Sequence, residues 1–88
     1  MDKYKDLRNK TIFDFCDDKE ILEDITAFYN KAEYLEYIND YSGEKSMLRI
    51  LAEDFLQLAF EIDDKMLEKE VRRQFPKEIK EYEAMFYE

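Results

Sequence analysis

The chain has 88 residues, 23 of them acidic and 14 basic, with no histidine, no tryptophan and a single cysteine. Those counts exclude histidine general bases, Ser-His and Cys-His nucleophile pairs, ordinary zinc sites and an internal disulfide. A formal net charge of −9 gives the wrong field for phosphate backbones and for anionic membrane surfaces, and favours basic partners.

An apolar fraction of 45% and 14 aromatic residues are enough for a folded core despite 42% charged residues. The length suits one domain over 1–88, burying roughly 60–70% of its unfolded surface. No apolar run reaches the ~20 residues of a membrane span, and Met1 to Asp6 lacks a signal-peptide stretch, so a cytoplasmic protein is expected. With one glycine and one proline, helix is the default reading elsewhere, and the expected fold is all-α.

Four helices are predicted. The first, 3–13, is weakly periodic: Tyr4, Leu7 and Ile12 share a side loosely, with Phe13 and Phe15 tucking inward at its end. The second, 18–41, opens on Asp17 and Glu20 at capping-box spacing and carries early carboxylates suited to the helix dipole. Its buried stripe is expected to be Ile21, Ile25, Phe28, Ala32 and Leu35, with Leu22 and Tyr29 on one flank, and Ser42-Gly43 supplies the stop.

The third helix, 45–74, repeats apolar residues at Leu48, Leu51, Phe55, Leu58, Ile62 and Met66, with Leu56, Phe60, Leu67 and Val71 as a second stripe. Its ~45 Å length exceeds the roughly 30 Å diameter of a compact chain this size. The helix therefore bends or breaks near Asp63-Asp64-Lys65, protrudes, or is covered by a second copy. Pro76 ends it and starts a fourth helix, 77–87, marked by Ile79, Tyr82 and Phe86. The expected architecture is a small bundle of about four helices, with an antiparallel hairpin of helices 2 and 3 and a long central helix 3.

No catalytic residue, cofactor or metal is expected. Cys16 reads as an inert, buried thiol. Asp14, Asp17, Asp18 and Glu20 lack the calcium-hand loop and its closing glutamate. Lys69, Arg72, Arg73, Lys77 and Lys80 straddle a helix end and are offset by Glu68, Glu70 and Glu78, so direct nucleic-acid binding is not expected there.

The candidate partner-binding residues form two groups. Tyr34, Tyr37 and Tyr41 fall opposite the aliphatic stripe and are flanked by Glu33, Glu36 and Asp40. They either pack under a neighbouring helix, hydroxyls reaching water, or form an exposed aromatic strip with an acidic rim. Asp14, Asp17, Asp18, Glu20, Glu23 and Asp24 place six carboxylates within eleven residues, interrupted by Lys19 alone among cations. Together they point to a non-enzymatic interaction module that inhibits or modulates a basic-surfaced protein, such as a nucleic-acid-handling enzyme or a toxin, including by imitating DNA phosphates. Small acidic immunity proteins, antitoxins and phage-encoded inhibitors share this profile, a likeness that transfers no residue. The alternative is an assembly subunit that homodimerises or joins a larger complex through its long helix.

Overall fold

A computed structural model describes residues 3–25, 30–40 and 46–86. Two 3-10 turns, Leu7–Asn9 and Ile12–Asp14, precede five α-helices: α1 (Lys19–Ile25), α2 (Lys31–Asp40), α3 (Met47–Glu61), α4 (Lys65–Gln74) and α5 (Pro76–Ala84). Among the described residues the fold is all-α, a small bundle of five helices rather than four. α3 packs against each of the other four, and its residues from Ile50 to Ala59 are buried except for half-buried Gln57.

The long helix breaks where its length required. Its C-terminus closes as a Schellman motif: Asp64 N–H donates to the Ala59 carbonyl at 2.9 Å and Asp63 N–H to the Phe60 carbonyl at 3.3 Å. Asp63 occupies the left-handed position, φ 54°, where glycine is usual. Asp64 then starts α4, its Oδ1 accepting from Leu67 N–H at 3.0 Å, while Oδ2 accepts from the Tyr4 hydroxyl at 3.0 Å. The break brings the longest extent of the molecule to 33 Å and its radius of gyration to 12.4 Å. Asp63→Gly is expected to raise the melting temperature by a few degrees, because relief of an unfavourable φ is worth roughly 0.5–1 kcal/mol, less the entropy glycine adds to the unfolded chain. Calorimetric melting of the two proteins checks this.

The first predicted helix is absent. Asp6 is left-handed at φ 55°, and Lys10 and Thr11 are extended, so the chain runs as a strap over α4. Gln74 holds it: its Oε1 accepts from Leu7 N–H at 2.9 Å and its Nε2 donates to the Tyr4 carbonyl at 2.7 Å. Backbone groups that a helix would satisfy internally are met by a side chain 67 or more residues away, and Leu7 and Ile12 are fully buried in return.

The second predicted helix is not continuous over 18–41. Asn30 lies in a bend, and its side chain caps α2 by accepting from Glu33 N–H at 2.9 Å. At the α1 end, Asp18 rather than Asp17 accepts from Glu20 N–H. The expected stripe shifts accordingly: Leu22 is innermost on α1 with Ile21 and Ile25 half-buried, and on α2 Tyr34 and Ile38 face the core while Ala32 is exposed. Phe28, Tyr29 and the Ser42-Gly43 stop lie outside the described residues. Ser46 caps α3, accepting from Arg49 N–H, and α2 packs on α3 as the predicted helix pair.

Pro76 is the first residue of α5 and Ile79 is buried, as expected. Phe86 is exposed instead, edge-on to Tyr82 at 5.2 Å, and Phe60 and Met66 of the long-helix stripes are also exposed. Phe60 lies on the last turn of α3 and Met66 on the first turn of α4, where the break leaves them on outer faces.

Candidate interaction surface

α2 separates its tyrosines. Tyr34 is completely buried, its hydroxyl donating to Asp54 Oδ2 on α3 at 2.6 Å and its ring meeting Phe13 edge-on at 5.6 Å. Burial first, then the adjacent Asp54 charge and hydrogen bond, push the phenol far above its ordinary ionisation range. Tyr34 is thus an anchor of α2 and no part of a binding face. The expected three-tyrosine strip is corrected to one described residue, Tyr37, exposed at 39%. Tyr41 lies outside the described residues.

The acidic positions fare differently. Glu33, Glu36 and Asp40 are all exposed on the side of α2 turned away from Tyr34 and Ile38, and Tyr37, one turn from Tyr34, lies at the edge of that acidic strip. Asp17, Glu20, Glu23 and Asp24 are exposed on or just before α1. Asp14 and Asp18 are exposed but locally engaged, Asp14 accepting from Thr11 N–H at 2.7 Å and Asp18 from Glu20 N–H at 3.0 Å. Residues 14–40 thus carry nine exposed carboxylates against two lysines, Lys19 and Lys31. Among the described residues no group of three His, Cys, Asp or Glu side chains is arranged to hold a metal ion.

Two carboxylates escaped the sequence reading. Glu53 and Asp54 are 5% and 8% exposed in the middle of α3, with Arg49 Nε 3.7 Å from Glu53 and Tyr34 on Asp54. The signal was present: the Glu-Asp pair interrupts an apolar run from Leu48 to Phe60 on a helix apolar all round, and such a helix is enclosed on every side. Charges placed there must find buried partners.

Of the basic concentration, Arg72 and Arg73 are paired within the fold, while Lys69, Lys77 and Lys80 are exposed. Arg72 Nη1 donates to both Glu83 carboxylate oxygens at 3.0 Å and its Nε to Glu68 at 3.3 Å, joining α4 to α5. Burial lowers the guanidinium's proton affinity, but these carboxylates outweigh it and leave the pKa raised. They close one side of an open groove of about 440 Å³ between the two helices, floored by Pro76, Ile79 and Ala84. Cys16 is half-buried rather than buried, beside Asp14 and Asp17 in a smaller surface hollow.

Among the described residues no helix is long and apolar enough to cross a membrane. Comparison of the chain with protein-family models, with curated proteins and with solved structures finds no match.

Proposed function

We propose that the chain is a non-enzymatic interaction module that binds a basic-surfaced protein and inhibits or modulates it, its contact face being the outer side of α2 continued by the acidic residues of α1. One observation carries this reading: exposed Glu33, Glu36 and Asp40 form an acidic strip on the outer side of α2, edged by partly exposed Tyr37, while Tyr34 and Ile38 anchor the helix in the core. An aromatic ring beside a charged strip suits a protein contact, since tyrosine offers large area with few torsions to freeze and the charges steer the encounter.

The nine exposed carboxylates of residues 14–40 favour a partner whose surface is built to hold phosphates, namely a nucleic-acid-handling enzyme or a toxin of that kind. The assembly reading rested on an over-long helix needing cover. The Schellman break at Asp63 weakens that argument, because it shortens α3 to 15 residues, of which Met47 and Phe60 at its two ends are the exposed large apolar side chains.

The test is affinity capture from the native host with the wild-type chain and with Glu33→Gln/Glu36→Gln/Tyr37→Ala/Asp40→Asn. The expected result is a basic protein retained by the first and lost by the second, with binding that weakens as salt rises. Identical captures on both baits, or capture of acidic proteins alone, would refute the assignment of this face.

A further inference from the structure

Two outer helix faces of this chain complement each other. On α2 the exposed positions Glu33, Glu36 and Asp40 form an acidic strip with Tyr37 along one edge. On α4 the exposed positions are Lys65, Met66, Lys69 and Arg73, which recur at helical spacing along one side. The sequence interleaves Glu68 and Glu70 with these cations, but the fold sorts them. The side chains of Lys65 and Arg73 are 83% and 63% exposed, whereas those of Glu68 and Glu70 are 27% and 15% exposed, drawn against Arg72 and against Arg73 and Gln74. α4 therefore presents Lys65, Lys69 and Arg73 outward, Lys65 paired with exposed Asp63 at 3.2 Å and Arg73 with the largely covered Glu70 at 2.6 Å, and half-exposed Met66 lies in the same face.

We infer that these faces bind one another between two copies of the chain: α2 of one molecule seats on α4 of a second, with Tyr37 against Met66 and the three carboxylates against Lys65, Lys69 and Arg73. A thioether beside a tyrosine ring is a favourable contact in its own right. Because the faces differ, the contact is heterologous, so the pair retains one open face of each kind, one on each copy, and assembly proceeds head to tail.

A polyanion such as DNA is the competing occupant of α4; it meets the −9 field of the whole chain, as a second copy also does, but offers Met66 no apolar side chain. A second copy instead brings its most acidic side to the ridge and supplies an apolar partner for Met66. A contact of one helix on another is small, which makes the association weak and transient. The inference goes beyond the partner proposed above and does not depend on it.

Sedimentation equilibrium over a range of concentrations tests it, using the full chain and two variants whose altered residues are all exposed. One is Glu33→Gln/Glu36→Gln/Asp40→Asn, the other Lys65→Gln/Lys69→Gln/Arg73→Gln. The wild type is expected to self-associate, and each variant alone to do so about tenfold more weakly, as befits three exposed ion pairs. An equimolar mixture should recover the contact yet stop at a one-to-one pair, since only one intact interface remains. The first variant also separates complementarity from net repulsion: with three fewer negative charges it would associate more strongly if repulsion alone governed.

That outcome, a wild type monomeric throughout, or a mixture that fails to recover would each overturn the inference. So would a labelled DNA duplex that binds monomeric wild type and is lost with the α4 variant, which would assign the ridge to phosphates.

Discussion

Tyr34→Phe is expected to lower the unfolding free energy by about 1.5–3 kcal/mol, the range for a hydrogen bond to a charged group. The hydroxyl is fully buried and donates at 2.6 Å to a carboxylate that is itself only 8% exposed, so water cannot replace the donor without opening the α2–α3 contact. Tyr34→Ala, which also empties the space beside Phe13, should cost about 3–5 kcal/mol. Urea unfolding followed by circular dichroism measures both.

The same pair makes a prediction about alkaline pH. In the unfolded chain the phenol titrates near its ordinary value of 10.0, while in the fold burial and the Asp54 charge raise its pKa well beyond that. The folded state thus keeps a proton the unfolded state releases. The stabilisation is fully present below about pH 10 and declines above it by about 1.4 kcal/mol per pH unit from this one residue. Tyr34→Phe removes that contribution and should show a shallower loss of stability between about pH 10 and 11. Parallel curves for the two proteins would mean that Tyr34 ionises freely in the fold.

What the sequence disclosed and what it hid divide along a physical line. The elbow after α3 was legible because a length mismatch demanded a break and Asp63-Asp64 supplied one residue able to be left-handed and another able to cap. Pro76 was legible for a similar local reason. The strap over residues 3–15 was not, since the groups that hold it, Gln74 and Asp64, lie some 60 to 70 residues away and no local pattern announces them.

The candidate surface was half legible. Every acidic position assigned to it is exposed, because charge alone predicts exposure well. Tyr34 was misassigned because one continuous helix was assumed over 18–41. The bend at Asn30 resets the helical phase, so the side taken as outward for Tyr34 is the side that meets α3. A buried tyrosine also needs a partner for its hydroxyl, and that partner, Asp54, was itself hidden among apolar neighbours on α3.

Phe55→Ala is expected to be the most damaging single substitution in the core. Phe55 is fully buried, meets Phe15 of the strap edge-on at 5.5 Å and lies 6.4 Å from Phe75 at the α4–α5 junction. One ring therefore joins the strap, which has only two short 3-10 turns of its own, the central helix and the second elbow. Its removal should cost about 3–5 kcal/mol, against a total stability on the order of 5–13 kcal/mol for a chain of this size. Phe55→Leu, which keeps most of the volume, should cost about 1.5 kcal/mol or less if the site repacks. The strap should suffer before the helices do: amide exchange at Leu7, whose N–H is held by the Gln74 side chain, is expected to accelerate more than exchange within α3. Equal acceleration at both would show that the strap and the bundle open as one unit, with Phe55 supporting the whole rather than its junction.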